Sequence, residues 1–390
     1  MSAIKNTEFL ARTKLVTGSG SVKFLADELK KDNYRKILII TDKGIAGSGI
    51  LDNIQAILKP LDIETEIYDD VKPNPSVTAT DGAYETYKDN QIEALIAVGG
   101  GSVIDFAKAL SVLLANGGSI ADYFGFDLYE DTPTPLFAIP TTVGTGSEGG
   151  HAGVITVDNE ALKTKKLFFG EDLFPKVAFL DGDLLTGMPG ALVASTGMDA
   201  LTHAIEGYVS KNGSVITDAL NLHAVRVIGT AILEAYSNTD NEEAMNNMVQ
   251  ASTSTGIGMA NGGLGLVHGI SHAIGAQYDA PHGIVNAILL PYVLEYNWVA
   301  NPHKFAQIAE ALRVNTWGLS VEDAAKAGVQ RVRELTRETG IPEKLSAIGV
   351  QEDKIDVLTD IAFADELYMA PNPRKVTRED IYNILKEAIN

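Results

Sequence analysis

Five side chains between Asp199 and His282 are of the types that hold a divalent metal. Asp199 and His203 lie four apart in MDALTHAIEGYVS, and His268 and His272 lie four apart in GLGLVHGISHAIGA. His282 follows a proline in APHGIVNAILLP. Residues four apart on a helix project from one face, so each pair presents its side chains together. Pro281 suits the first turn of a third helix. Three imidazoles and one carboxylate suit Fe(II) or Zn(II), because borderline nitrogen donors favour these ions over Mg or Ca. The segments are rich in glycine and apolar residues, where an unpaired His or Asp is costly to bury. Spacing alone does not say which four of the five would bind.

A second group of residues points to a nucleotide. Gly99, Gly100, Gly101 and Ser102 follow an apolar strand and open a helix. Glycines let the backbone approach a phosphate, and a helix N-terminus offers free N–H groups and the positive end of its dipole. The spacing is not the usual G-x-G-x-x-G. Thr141, Thr142, Thr145 and Ser147 form a second loop after another strand. Two such loops at strand C-termini form the crevice where parallel sheets bind ligands. Asp42 ends the first strand; a carboxylate there accepts both ribose hydroxyls and repels a 2′-phosphate, which favours NAD over NADP. A helix or turn cap is the simpler role for Asp42.

These residues need elements to carry them. Short apolar runs predict strands at 36–42, 64–68, 94–98, 135–139, 154–157 and 177–180. Helical segments lie between them at 47–59, 79–88 and 103–115, and Pro73-Asn74-Pro75 makes a rigid turn. That alternation predicts an α/β N-terminal domain with a Rossmann-like parallel sheet over residues 1–188. From 189 to 390 only helical periodicity remains, at 189–209, 214–236, 241–260, 265–277, 283–298, 301–312, 320–339 and 378–388. The second domain is therefore expected to be all α.

Composition narrows the functional classes. At 390 residues the chain is long enough for two cores. Hydrophobic content of 45% with 21% charged residues is that of a soluble globular protein. There is no cysteine, which excludes disulfides, thiolate metal sites and a cysteine nucleophile. A formal net charge of −20 argues against nucleic acid and anionic membrane surfaces as partners. MSAIKNTEFLARTK has no apolar core of a secretory signal, and no apolar run is long enough to span a bilayer, so the expectation is a cytoplasmic protein.

The motifs GGGSVID, PTTVGTGSE, ASTGMDALTHAIEGYVS, GLGLVHGISHAIGAQYDAPHGIVNAILLP and the late NPR together resemble the iron-containing, group III alcohol dehydrogenases over essentially the whole chain. The likeness in character is to lactaldehyde (1,2-propanediol) reductases and 1,3-propanediol dehydrogenases. It implies a dehydroquinate-synthase-like architecture. It also implies that Asp199, His203, His268 and His282 hold the metal, Fe(II) or Zn(II), while His272 stands outside and relays protons. Asp42, Asn74, Gly99, Gly100, Gly101, Ser102, Asp105, Thr141, Thr142, Thr145 and Lys165 fall on cofactor positions, with Lys163 or Lys166 as alternatives to Lys165. A homodimer or larger homo-oligomer is implied as well.

The chain departs from the pattern at Glu148-Gly149-Gly150-His151-Ala152-Gly153 and at Tyr368-Met-Ala-Pro371. Both segments border the expected substrate pocket. His151, Gly153 and Tyr368 are therefore candidate substrate residues. The glycines are expected to widen the pocket and His151 to make it more cationic. The implied activity is reversible hydride transfer between NAD(H) and a short-chain aldehyde or alcohol such as lactaldehyde or 3-hydroxypropanal, with the ion as Lewis acid. Alternatives are reduction of a short anionic aldehyde, polyol oxidation as in glycerol dehydrogenases, a lyase with transient NAD redox as in dehydroquinate synthases, and a purely structural metal. The lyase needs a basic pocket, and the helical half has no basic cluster.

Overall fold

The runs ILII, ALIAVG, LFAIP and VAFL are apolar without interruption, the pattern of strands covered on both faces. In the computed structural model, which describes residues 8–158 and 163–390, they are the inner strands of a parallel sheet. In chain order the first part runs β1 (Lys14–Thr17), α1 (Leu25–Lys30), β2 (Lys36–Ile40), α2 (Lys43–Ala46), α3 (Ile50–Leu58), β3 (Glu64–Tyr68), α4 (Val77–Tyr87), β4 (Ala94–Gly99) and α5 (Gly101–Asn116). It continues through β5 (Gly125–Phe126), β6 (Leu136–Pro140), β7 (Ala152–Val157), β8 (Thr164–Phe169) and β9 (Val177–Leu180). The six-stranded sheet has the order β1-β9-β6-β4-β2-β3, all pairs parallel. The order reverses between β2 and β4, and there the C-terminal strand ends open a crevice.

The pleat divides the sheet's side chains. Leu38 and Ile40 of β2 face the core shared with the second half of the chain, while Ile37 and Ile39 face α1 and α3. The strand expected at 154–157 does not join this sheet. It begins at Ala152 as β7 and pairs antiparallel with β8, beside β5, in a separate three-stranded sheet. Three strands have no signal of their own: β1, three of whose four residues are exposed, the two-residue β5, and β8, which carries Lys165 and Lys166. Residues 1–7 of the N-terminal stretch and residues 159–162 lie outside the described residues.

From Gly190 onward the described chain is helical: α6 (Gly190–Val209), α7 (Val215–Ser237), α8 (Glu242–Gly262), α9 (Leu266–Tyr278), α10 (His282–Asn297), α11 (Pro302–Ala311) and α12 (Val321–Glu338). α13 (Ile355–Ala364), α14 (Glu366–Met369) and α15 (Arg378–Ile389) complete it. α6 packs against α7, α8 and α10, and α10 against α9. One apolar core runs from Leu95 and Ala138 of the sheet through Val193 and Leu201 of α6 to Ile288 of α10. The sheet and the inner helices therefore share one core. α7 is long and apolar enough by composition to cross a bilayer; here it packs against α6 and α8, with 39% of its most apolar stretch buried.

Candidate active site

α6, α9 and the start of α10 bring four of the five metal-type residues to one point. One donor atom each from Asp199, His203, His268 and His282 lies within 4.8 Å of the others. His203 Nε2 is 4.0 Å and His282 Nε2 3.7 Å from Asp199 Oδ1. The second nitrogen of each ring faces away. His203 Nδ1 donates to the Gly144 carbonyl at 3.3 Å, His268 Nδ1 to Glu206 Oε2 at 2.6 Å, and His282 Nδ1 lies 3.4 Å from Ser271 Oγ. Burial lowers the pKa of His203 against the pull of Asp199, and burial followed by the Lys165 charge lowers that of His282 well below the ordinary value. Neutral imidazoles with converging Nε2 atoms are ready ligands, so the donor set fits a first-row divalent ion.

A second layer, missed in the sequence, holds these ligands in place. Glu206 is buried; besides taking the His268 bond, its Oε1 accepts the Val267 N–H at 2.7 Å. Asn286 Nδ2 donates to Asp199 Oδ1 at 2.6 Å and lies 3.1–3.2 Å from Nε2 of His282 and His268. Both residues carried a usable signal: Glu206 is three after His203 and Asn286 four after His282. A carboxylate on the far nitrogen of a ligating histidine fixes its tautomer and raises its basicity. Glu206→Gln should therefore weaken metal affinity by about 10- to 100-fold in a chelator competition. Unchanged affinity would contradict that role.

The fifth residue, His272, lies outside the convergent group. Its ring centroid is 5.2 Å from that of His282 and 6.1 Å from that of His268. Its Nδ1 is buried with no partner among the described residues. Burial, then the charge of Lys165, keeps the ring neutral. Tyr368 closes this side, edge-on to His272 at 5.0 Å and buried.

The two glycine-bearing loops stand side by side because their strands pair, Gly99 opposite Pro140. A Cβ on Gly100 would come within 2.9 Å of Thr142, and one on Gly101 within 2.5 Å of Thr145. Bare backbone is what lets the loops touch. No side chain caps α5 at Gly100, so its first N–H groups are left for an anion. Asp42 caps α2 through Oδ1, which accepts from Gly44 N and Ile45 N; Oδ2 has no partner among the described residues. Among the three lysines, it is Lys165 whose Nζ reaches Asn74 Oδ1, at 2.9 Å. Asp105 accepts from Ser147 Oγ and Val154 N. Lys108, one turn along α5 and also missed, is fully buried and donates to the carbonyls of Ser147, Gly150 and Ala152. It pins the loop that leads to the substrate wall.

One cavity of about 700 Å³ joins these parts, from Gly101, Ser102 and Thr145 past His203, His268, His272 and His282 to Met259 and Leu264. Its far wall corrects two expectations. Gly153 does not line the cavity: the Phe168 ring occupies the space its side chain would take. Gly149 is likewise packed, with Thr253 O only 2.8 Å from where a Cβ would stand. His151 does line the cavity, its ring tilted against Phe174 with centroids 4.8 Å apart, but burial and then the Lys108 charge lower its pKa to about 4. It is neutral and adds no positive charge.

Two family models cover the chain: one described as iron-containing alcohol dehydrogenase matches residues 12–182, and the C-terminal model of the same family matches 193–389. The NAD-dependent methanol dehydrogenase of Bacillus methanolicus is 37% identical over 383 residues, 98% of this chain and 100% of that one. The lactaldehyde reductase of Escherichia coli K12 is 38% identical over 374 residues, 95% and 96% of the two chains. A crystal structure of a 1,3-propanediol oxidoreductase superposes with a TM-score of 0.95 at 34% identity, covering 99% of this chain and 100% of that one.

Proposed function

The chain belongs to the iron-containing alcohol dehydrogenase family and is an oxidoreductase of that family, and on this premise we propose that it interconverts short-chain aldehydes and primary alcohols or diols with NAD(H) and one divalent metal, Fe(II) or Zn(II). The observation that carries the proposal is the single cavity joining the loops of β4 and β6 to the Asp199, His203, His268 and His282 cluster. When bound, NAD(H) supplies the hydride and the ion supplies Lewis acidity toward the substrate oxygen.

The chain's own residues do the rest. In this reading residues 1–188 bind the dinucleotide and 189–390 hold the metal. Gly99 to Ser102 and the α5 N-terminus receive the pyrophosphate, and Thr141, Thr142 and Thr145 close the other side. Asn74 and Lys165, with Asp105 behind Ser147, flank the cofactor between the two halves. His272, neutral and beside the cluster, accepts the alcohol proton during oxidation and returns it during reduction. His282 is the partly exposed ligand, with 24% of its side chain open. That opening supports a working site over a closed structural one. A homodimer or larger homo-oligomer and a cytoplasmic location belong to the same proposal, and light scattering measures the former.

Asp42 sets the cofactor choice. Its free Oδ2 suits a ribose hydroxyl and repels a 2′-phosphate. Asp42→Gly should let NADPH support turnover at the expense of NADH selectivity, read as the ratio of kcat/KM values. A wild-type preference for NADPH would overturn the argument. The function itself is tested by loss of NADH absorbance with a panel of short aldehydes and diols; no turnover on any of them would sink it.

A further inference from the structure

The late motif Asn372-Pro373-Arg374 takes no part in the chemistry above, yet Asn372 is buried against the start of the helix that carries His268. α9 begins at Leu266, and its N-cap, Gly265, has no side chain to receive the first N–H groups. Leu266 and Val267 are fully buried, so those N–H groups need acceptors other than water. Two distant side chains supply them. Glu206 Oε1 accepts from Val267 N at 2.7 Å, and Asn372 Oδ1 accepts from Leu266 N at 3.3 Å. A Cβ on Gly265 would stand 3.0 Å from the first oxygen and 3.1 Å from the second, so a bare residue lets both acceptors in.

Asn372 is itself held on every side. Its Oδ1 also accepts from Asn297 Nδ2 at 2.9 Å, and its Nδ2 donates to Asn297 Oδ1 at 2.9 Å and to the Arg374 carbonyl at 2.7 Å. These bonds use both acceptor lone pairs and both N–H groups of the amide. Asn297 is the last residue of α10, the helix that His282 opens. Arg374 fastens the same end, with Nη1 donating to the Tyr296 carbonyl at 2.8 Å and the guanidinium 4.0 Å above the Tyr296 ring. One buried amide thus ties the first turn of α9 to the end of α10.

We propose that Asn372 is a positioning residue for His268: it fixes where α9 starts, and so where the His268 ring stands relative to the donors on α6 and α10. This rests on the reading of His268 as a metal ligand given above. Glu206 acts on the ring directly, whereas Asn372 acts through the backbone two residues before it. The amide is needed as an amide. An aspartate there would keep an acceptor for Leu266 N, but Asn297 Oδ1 and the Arg374 carbonyl would lose this donor. It would also set a second carboxylate beside Glu206 across Gly265.

The test strips the full-length protein of metal and titrates it with Co(II) against a chelator, with the visible absorption of bound Co(II) reading the ligand geometry. Asn372→Ala should weaken Co(II) binding by about 10-fold, the lower end of the range for residues behind a ligand, and alter the absorption band. Asn297→Ala unties Asn372 from α10 and should move both readouts the same way, which keeps the idea testable if the first variant misfolds. Tyr296→Phe removes a 2.7 Å bond to the Lys375 carbonyl in the same segment without touching α9. It should leave both readouts as in the wild type, whatever it does to the melting temperature. Wild-type affinity and spectrum in folded Asn372→Ala, or in Asn297→Ala if the first does not fold, overturns the positioning role while the metal reading stands. An equal change in Tyr296→Phe overturns it too. A wild-type protein that binds no Co(II) overturns the metal reading and the proposal with it.

Discussion

Replacing His268 with alanine is expected to abolish turnover and to lower the metal content of the purified protein. His268 is buried and supplies one of only four converging donors. Its loss also strands Glu206, whose Oε2 has no other partner among the described residues. An unpaired buried acceptor costs about 1–3 kcal/mol, more when charged, so the melting temperature should fall together with the metal content. The double variant His268→Ala with Glu206→Gln separates the two effects: it should recover part of the stability and none of the metal. Metal analysis, thermal melts and NADH turnover on the three proteins decide it. Full activity with unchanged metal content in the single variant would remove His268 from the ligand set.

His272→Ala should instead keep the metal and lose rate. A positioned acid–base group contributes about 10²- to 10⁴-fold, and that is the expected loss in alcohol oxidation near neutral pH. The direction of its pKa matters here. Burial and then the Lys165 charge hold the His272 pKa well below the ordinary value, so the ring is in its proton-accepting form throughout the neutral range. Added imidazole should restore part of the oxidation rate. If the variant loses the ion, His272 is itself a ligand and one of the other four residues is not.

How far the sequence carried this picture can be judged residue by residue. Helical runs located α6, α7, α9 and α10 to within one residue at each end, because long uninterrupted segments with Ser, Pro and Gly at their ends are local signals. The i,i+4 spacing put Asp199 with His203 for the same reason. Contacts between distant segments were out of reach. Asn286 bonds Asp199 across 87 positions, and Asn261 Nδ2 donates to the Leu10 carbonyl across 251. Neither partner marks the other in sequence.

The glycine run after Glu148 is the instructive error. Gly149, Gly150 and Gly153 look alike as letters, yet Thr253 and Phe168 fill the place of a side chain at the first and last, and only at Gly150 would a Cβ meet ordinary contacts. His151 looked like a cation, and its burial against Phe174 makes it neutral. β8 escaped because its two lysines resemble a surface loop, although one of them, Lys165, points into the cavity. Side-chain identity was legible throughout; the environment that sets charge and room was not.

In the proposed function the Asp199, His203, His268 and His282 cluster, loaded with a divalent ion, drives NADH-dependent aldehyde reduction. The most direct measurement strips the wild-type protein with a chelator and follows NADH absorbance with propanal before and after adding back Fe(II) or Zn(II). The stripped protein should show no turnover, and turnover should return with at least one of the two ions. Full NADH turnover in protein shown by metal analysis to be free of the ion would contradict it.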